Sequence, residues 1–63
     1  MEIITFDIQR RTWFDEDGNN RDILRRKNNC LIEKSGDEYA QHRIIRGSFR
    51  YGRIRIYEVE LVE

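Results

Sequence analysis

The sequence contains no proline, one cysteine and one histidine, and no apolar run near the length of about 20 residues that spans a membrane. One cysteine cannot form an intramolecular disulfide, and one cysteine with one histidine cannot complete a Cys/His zinc site. We therefore expect no metal, no cofactor and no membrane partner. The lone Cys30 and a start that lacks the basic and apolar segments of a secretion signal indicate a reducing, intracellular setting, the cytoplasm.

The chain is also short. Its 63 residues predict a single domain over 1–63, and a chain of this size buries only about 60% of the surface that its unfolded form exposes. Small domains usually add a disulfide or a metal to their core, and neither fits this sequence. The remaining routes to stability are self-association, for example as a homodimer, and docking on a partner.

Neither sign of charge is in excess, because the sequence has twelve basic and twelve acidic residues, and its pI is about 6.6. Domains held to nucleic acid by overall charge usually have a pI above about 9, so zero net charge argues against that mode of binding. The basic residues are nevertheless clustered, since residues 39–57 contain five arginines and no acid. Arginine suits bidentate contacts to phosphate or carboxylate, so this segment is a candidate contact surface.

The dominant pattern is an alternation of period two, which predicts β-strands. In the segment EIITFDIQRRTWF, the alternation places Ile4, Phe6 and Ile8 on one face of a half-buried strand. Phe14 continues that phase, so Trp13 is expected on the opposite, outward face. There it is either covered by a neighbouring loop or serves as an anchor for a partner.

Turn-forming residues separate the predicted strands. The segments DEDGNN (15–20) and SGDE (35–38) predict turns, because Asp-Gly and Gly-Asn supply the positive φ that hairpins need. The pattern of the segment between them is ambiguous, since residues 20–28 fit either a strand or one short helix. DEDGNN also begins like a calcium loop, but the ligand spacing of an EF-hand is not met, and we interpret it as a turn.

The last segment, RIRIYEVELVE, is the clearest strand, but its apolar phase slips. Ile54 and Ile56 share one parity, whereas Val59 and Leu61 have the other, and this predicts a β-bulge at 56–58. The sum is a mainly β fold of four or five antiparallel strands, as a small meander or an SH3-like or OB-like partial barrel. The first and last strands, being the most apolar, are expected to be central or paired.

The segment RGSFRYGRIRIY (46–57) predicts the binding surface. If it is a hairpin with Ile45, Phe49, Ile54 and Ile56 inward, all four of its arginines lie on one outward face. Like charges on neighbouring strands destabilise a sheet, so a negative group is expected above them. The candidate site residues for nucleic acid or a partner are Arg46, Arg50, Arg53, Arg55, Tyr51, Tyr57 and Trp13.

Three interpretations of this face remain open. The leading functional one is a non-enzymatic module that binds single-stranded RNA or DNA, with arginines on phosphates and Tyr51 and Tyr57 stacking on bases. The alternative is a small regulator or inhibitor, of the phage or mobile-element type, that docks on a larger host protein. The third is a solvated face whose arginines pair with Asp7, Glu58 and Glu60.

Catalysis has little support in the sequence. His42 is the single imidazole and Cys30 the single thiol, and a nucleophile pair requires the two to lie within hydrogen-bond reach. No other set of residues predicts a reaction. We therefore expect no enzymatic activity.

Overall fold

The structure, a computed structural model, describes residues 1–62, except for the side chain of Ser48. Its strands are β1 (Glu2–Asp7), β2 (Thr12–Asp15), β3 (Asn20–Arg21), β4 (Ile23–Lys27), β5 (Cys30–Ser35), β6 (Glu38–Tyr51) and β7 (Ile54–Val62). All seven form one antiparallel sheet, which confirms the prediction of a mainly β partial barrel with more strands than expected. The alternative of a helix at 20–28 is wrong, because β3 and β4 occupy that segment. Within residues 1–62 we find no helix long and apolar enough to cross a membrane.

The strand order is β3-β2-β1-β7-β6-β5-β4, with β1 and β7 paired at the centre as expected. The edge strands β3 and β4 are consecutive in the chain and are separated only by Asp22. Because one residue links the two edges, the sheet must curl, and it forms a half-barrel. The backbone N–H of Lys34 donates to the carbonyl of Asp22 at 2.9 Å, which holds this link against β5.

The concave inner face of the half-barrel holds the core. Alternate residues of the two central strands point inward, and Ile4 lies directly opposite Tyr57 in the register. Phe6 and Trp13 pack against the cluster from the side and are partly buried. The buried residues of the cluster are Ile4, Ile23, Leu31, Ile44, Tyr57 and Val59.

Short turns with positive φ set the register of the hairpins. Asn28 and Asn29 connect β4 to β5 with φ of 51° and 60°, as a type I′ turn requires at both positions. Gly36 and Gly52 open the two-residue turns after β5 and β6 with φ of 62° and 58°, where most residues with a Cβ would be strained. The turn predicted at 15–20 is confirmed, and the Oδ1 atom of Asp15 accepts backbone N–H bonds from within it.

The predicted bulge at 56–58 is wrong. The β1–β7 register continues without a shift from Glu2 opposite Val59 to Asp7 opposite Ile54. The phase slip of β7 instead reflects a sheet that is apolar on both faces, with Ile54 on the outer face and Val59 on the inner one. The irregularities lie in β6, where the register with β7 shifts within 44–46 and again within 46–49.

The placement predicted for Trp13 is also wrong. Residues 8–11 form a turn that splits the expected first strand into β1 and β2. The turn is closed by the N–H of Arg11, which donates to the carbonyl of Asp7 at 2.8 Å, and Arg11 has φ of 57°. After the turn Trp13 lies opposite Phe6 on the inner face, and Phe14 lies on the outer face opposite Thr5.

Candidate nucleic-acid interface

The two ends of the half-barrel differ in charge, although the net charge is zero. At one end lie the turns 8–11 and 52–53, and the basic residues 10–11, 50, 53 and 55 lie in them or within two positions of them. At the other end lie the turns 15–20 and 36–37, which carry acids. The strand topology therefore produces a charge separation that the composition conceals.

The turns 8–11 and 52–53 are in direct contact. The backbone N–H of Ile8 donates to the carbonyl of Arg53 at 2.9 Å, and Nη1 of Arg53 donates to Oε1 of Gln9 at 3.0 Å. Arginines distant in the sequence are thereby gathered at one end of the sheet. We call this set the arginine end, and its members are Arg10, Arg11, Arg50, Arg53 and Arg55.

Arg50 and Arg55 lie directly opposite each other across the β6–β7 ladder. Nη1 of Arg55 donates to the carbonyls of Gly52 and Ile54 at 2.8 and 2.9 Å, which ties it to the hairpin turn. Within residues 1–62, no carboxylate forms an ion pair with either guanidinium. Opposed like charges destabilise a sheet, so this pair of arginines favours a negative ligand.

The prediction that Arg46 shares the outward face with this pair is wrong. Arg46 lies opposite Glu58, on the outer face, whereas Arg55 has the parity of the inner face. The bulges in β6 are the reason, because each extra residue reverses the side to which the following side chains point.

The prediction that Ile54 and Ile56 pack inward is also wrong, since both lie on the outer face. Ile45 and Phe49 do not pack inward either, because Ile44 is the residue of this segment that points into the core, and their exposed fractions are 47% and 43%.

Tyr57 cannot stack on a base from the position that the structure gives it. It is 6% exposed, and its ring packs against Trp13 with the ring centroids 5.6 Å apart. Gly47 lies so close that an added Cβ would come within 2.5 Å of the Tyr57 ring. Tyr51 is the opposite case, since it is 66% exposed beside the turn at 52–53. Of the two predicted tyrosines, Tyr51 is thus the one presented to solvent.

Trp13 borders an open cleft of about 330 Å³, at the gap between β2–β3 and the start of β4. Its ring packs on Phe6 with the centroids 4.7 Å apart, which leaves it half-buried. Arg11, a member of the arginine end, and Asn20 also line the cleft. The cleft therefore places an aromatic edge beside the basic surface.

Two of the acids that were expected to pair with the arginines, Glu60 and Asp7, each form an ion pair with one arginine. Glu60 pairs with Arg43 on the outer face. Oδ2 of Asp7 lies 3.6 Å from Nε of Arg53, while its Oδ1 accepts the N–H groups of residues 9 and 10. Asp7 thus caps a turn and only weakly screens Arg53. The expected neutralisation reaches the flanks of the segment but not Arg50 and Arg55.

A cluster of charges that the sequence reasoning missed lies inside the acidic half of the barrel. Arg21 donates from Nε to Glu33 at 2.5 Å and from Nη1 to Glu2 at 2.7 Å, and its Nη1 lies 3.3 Å from Asp15. Glu33 in turn lies 2.8 Å from Nε2 of His42. These five residues, which we call the ion cluster, are up to 40 positions apart in the sequence. Sequence patterns of period two do not reveal such a set.

The hydrogen bond from Arg21 lowers the pKa of Glu33, against the desolvation that acts to raise it. The backbone N–H of Asn19, together with Arg21, lowers the pKa of Asp15. The hydrogen bonds to Glu33 and Glu2 raise the pKa of Arg21. The cluster is therefore a charged group, hydrogen-bonded except at the buried Nδ1 of His42, that links the two edges of the half-barrel.

Cys30 and His42 do not form a thiol–imidazole pair. His42 opposes Leu31 on the inner face, and Cys30, next to Leu31 on β5, points to the other face. The thiol is buried, and its sulfur accepts from Nε2 of Gln41 at 3.2 Å. The two groups are thus held apart by the sheet itself.

Comparison with known proteins found no match to this chain, whether against protein-family models, curated proteins or solved structures.

Proposed function

We propose that the protein binds single-stranded nucleic acid at the arginine end, with Arg50 and Arg55 on phosphates and Tyr51 stacking on a base. The observation that carries the proposal is the opposition of Arg50 and Arg55, which have no ion-pair partner within residues 1–62. A phosphate between them would remove their mutual repulsion and accept from both guanidinium groups.

The rest of the end suits an unpaired strand. Tyr51 offers an exposed ring at the tip of the same hairpin, on the outer face, so the bound strand passes around the tip from Arg50 and Arg55. Stacking of one base on an aromatic side chain contributes roughly 1–3 kcal/mol. Arg11, in the neighbouring turn at 8–11, lines the cleft together with Trp13. Trp13 provides a second aromatic surface there. Unstacked bases reach such rings more readily than the bases of a duplex.

Charge separation explains how a chain of zero net charge serves this function. The acids at the far end do not screen the arginine end, because the strands between them are several residues long and screening by salt acts over about 8–10 Å. The cytoplasmic setting expected from Cys30 is compatible with such a ligand.

The test is fluorescence anisotropy with a labelled single-stranded oligothymidine at two salt concentrations. The double variant Arg50→Gln/Arg55→Gln should bind more weakly, and the salt slope should flatten by about 1.4 for two lost phosphate contacts. Lys34→Gln/Arg43→Gln is the control, because it makes the same change in net charge away from the arginine end. Absence of binding at low salt, or an equal loss in the control, contradicts the proposal.

Tyr51 separates stacking from electrostatics. Tyr51→Ala should weaken binding about 5-fold or more without changing the salt slope, whereas Tyr51→Phe should bind like the unmodified protein. Docking on a larger protein stays a prediction, and recovery of one host protein that resists nuclease treatment would favour it over nucleic-acid binding.

A further inference from the structure

The outer face of the sheet carries a continuous apolar row. Phe14 on β2 lies opposite Thr5 on β1, Thr5 lies opposite Ile56 on β7, and Ile56 lies opposite Phe49 on β6. Four neighbouring strands thus contribute one residue each, and three of the four are large and apolar. We call these residues the outer row.

Nothing within residues 1–62 forms a second layer over this row, because all seven strands belong to one sheet and no helix is present. Within the row, Phe49 is 43% exposed, Phe14 and Ile56 are half-buried, and Thr5 between them is 9% exposed. The chain as a whole exposes 4805 Å², whereas a compact monomer of this mass would expose about 4,300 Å². The excess agrees with a sheet whose outer face has no second layer over it.

A stable β domain normally buries its sheet between two layers. The inner face of this sheet is covered by its own curl, and the outer row has the composition of an inner face. Two sheets pack face to face about 10 Å apart with their strands nearly aligned, and this arrangement supplies the missing layer.

The charges around the row indicate which partner fits. Arg46 and Glu58 are opposed on the outer face, and Arg43 pairs with Glu60 further along the same strands. Both signs of charge therefore lie beside the row. A strongly acidic or strongly basic partner would leave one sign unmatched, whereas a second copy related by a two-fold axis offers glutamates to arginines and arginines to glutamates.

We propose that two copies of this chain associate through the outer row, with Phe49 and Ile56 of each copy packed against the other. This contact forms a two-layer β sandwich, and Arg50 and Arg55, which have the parity of the inner face, stay outside it. Self-association does not depend on the proposed function, because it uses a different set of side chains.

The test is sedimentation equilibrium of the purified chain over a range of micromolar concentrations. We expect a reversible dimer, and Phe49→Asp should raise its dissociation constant by about 100-fold or more. Phe49 is the residue of choice because it is already 43% exposed, so the substitution should leave the fold intact, as checked by far-UV circular dichroism. Leu24→Asp is the matched control, since Leu24 is 49% exposed but lies on β4, away from the row.

Two results would overturn the proposal. One is a monomer mass for the unmodified chain at every concentration, which would leave the outer row to a different partner. The other is a dimer that persists in Phe49→Asp, or that weakens equally in Leu24→Asp. Ile56→Ser provides an independent check, because it removes the central side chain of the row without adding a charge.

Discussion

Arg21 and Glu33 form a bidentate pair, in which Nε and Nη2 of the guanidinium donate to the two carboxylate oxygens at 2.5 and 2.8 Å. The pair links β3, at one edge of the sheet, to β5, next to the other edge. Because the chain makes only one covalent link between the edges, this contact helps to decide whether the half-barrel stays closed. Its removal should therefore affect the stability of the whole domain.

Arg21→Met should lower the free energy of unfolding by about 3 kcal/mol, because it leaves partly buried carboxylates without their cation. The Arg21 side chain is 19% exposed, so the loss falls at the lower end of the range for buried pairs. Arg43→Met is the control, since Arg43 pairs with Glu60 but its side chain is 62% exposed. It should change stability by about 0–1 kcal/mol. Urea denaturation followed by circular dichroism measures both, and equal losses would contradict the structural role of Arg21.

Acid should destabilise the protein through the ion cluster. The pKa values of Glu33 and Asp15 are lowered in the folded protein, so the unfolded chain binds more protons as the pH falls. The stabilisation is therefore present above about pH 5 and is lost as the pH falls through the folded-state values. The urea midpoint should decline over that acidic range, and Glu33→Gln should make the decline shallower. A midpoint that is independent of pH would contradict this prediction.

Gly47→Ala should destabilise the domain by about 1–3 kcal/mol through overpacking. The new methyl group would lie 2.5 Å from Cδ1 of Tyr57 and 3.1 Å from Cγ2 of Ile44. Because Tyr57 is the closer neighbour, Tyr57→Leu in the Gly47→Ala background should recover part of the loss. A double-mutant cycle in urea measures the coupling, and strictly additive losses would show that the two sites do not touch.

Arg50→Thr should stabilise the folded protein by about 0.5 kcal/mol while it weakens nucleic-acid binding. The substitution removes one member of the opposed pair Arg50 and Arg55 and introduces a residue that suits strands. The gain should shrink at high salt, because salt screens the repulsion that is relieved. Thermal unfolding at low and high salt measures the effect, and destabilisation at low salt would show that Arg50 has a partner in the free protein.

The sequence predicted the class of fold because alternation and turn residues are local signals. It placed the central pairing of the first and last strands correctly, since these are the most apolar segments. It misplaced Trp13 because a turn reversed the side to which that residue points, and it misplaced Phe49 because Ile44, and not Ile45, is the inward residue of β6. In a sheet that is apolar on both faces, apolar residues do not mark which side points inward, and for this reason the phase slip in β7 predicts a bulge that the structure does not contain.

The residues of the candidate site were also predicted only in part, because backbone irregularities are not visible in the sequence pattern. The arginines of the segment 46–57 were identified by composition, but their separation onto two faces depends on backbone irregularities in β6. Arg10 and Arg11 joined the site only through the contact between the turns at 8–11 and 52–53. The ion cluster was out of reach altogether, because it forms only when the two edges of the sheet approach each other.

The single-residue link at Asp22 relates the order of the strands in the sheet to their order along the chain. Written from β4, the strand order is β4-β5-β6-β7-β1-β2-β3, which is the chain order rotated by three strands. The start of β1 lies beside the last strand, with Glu2 opposite Val59. A circular permutant, opened at Asp22 and joined by a short Gly/Ser linker between the original ends, would be a meander in which every strand pairs with its successor. Its contact order would be lower, and it should fold faster than the natural connectivity while reaching the same half-barrel.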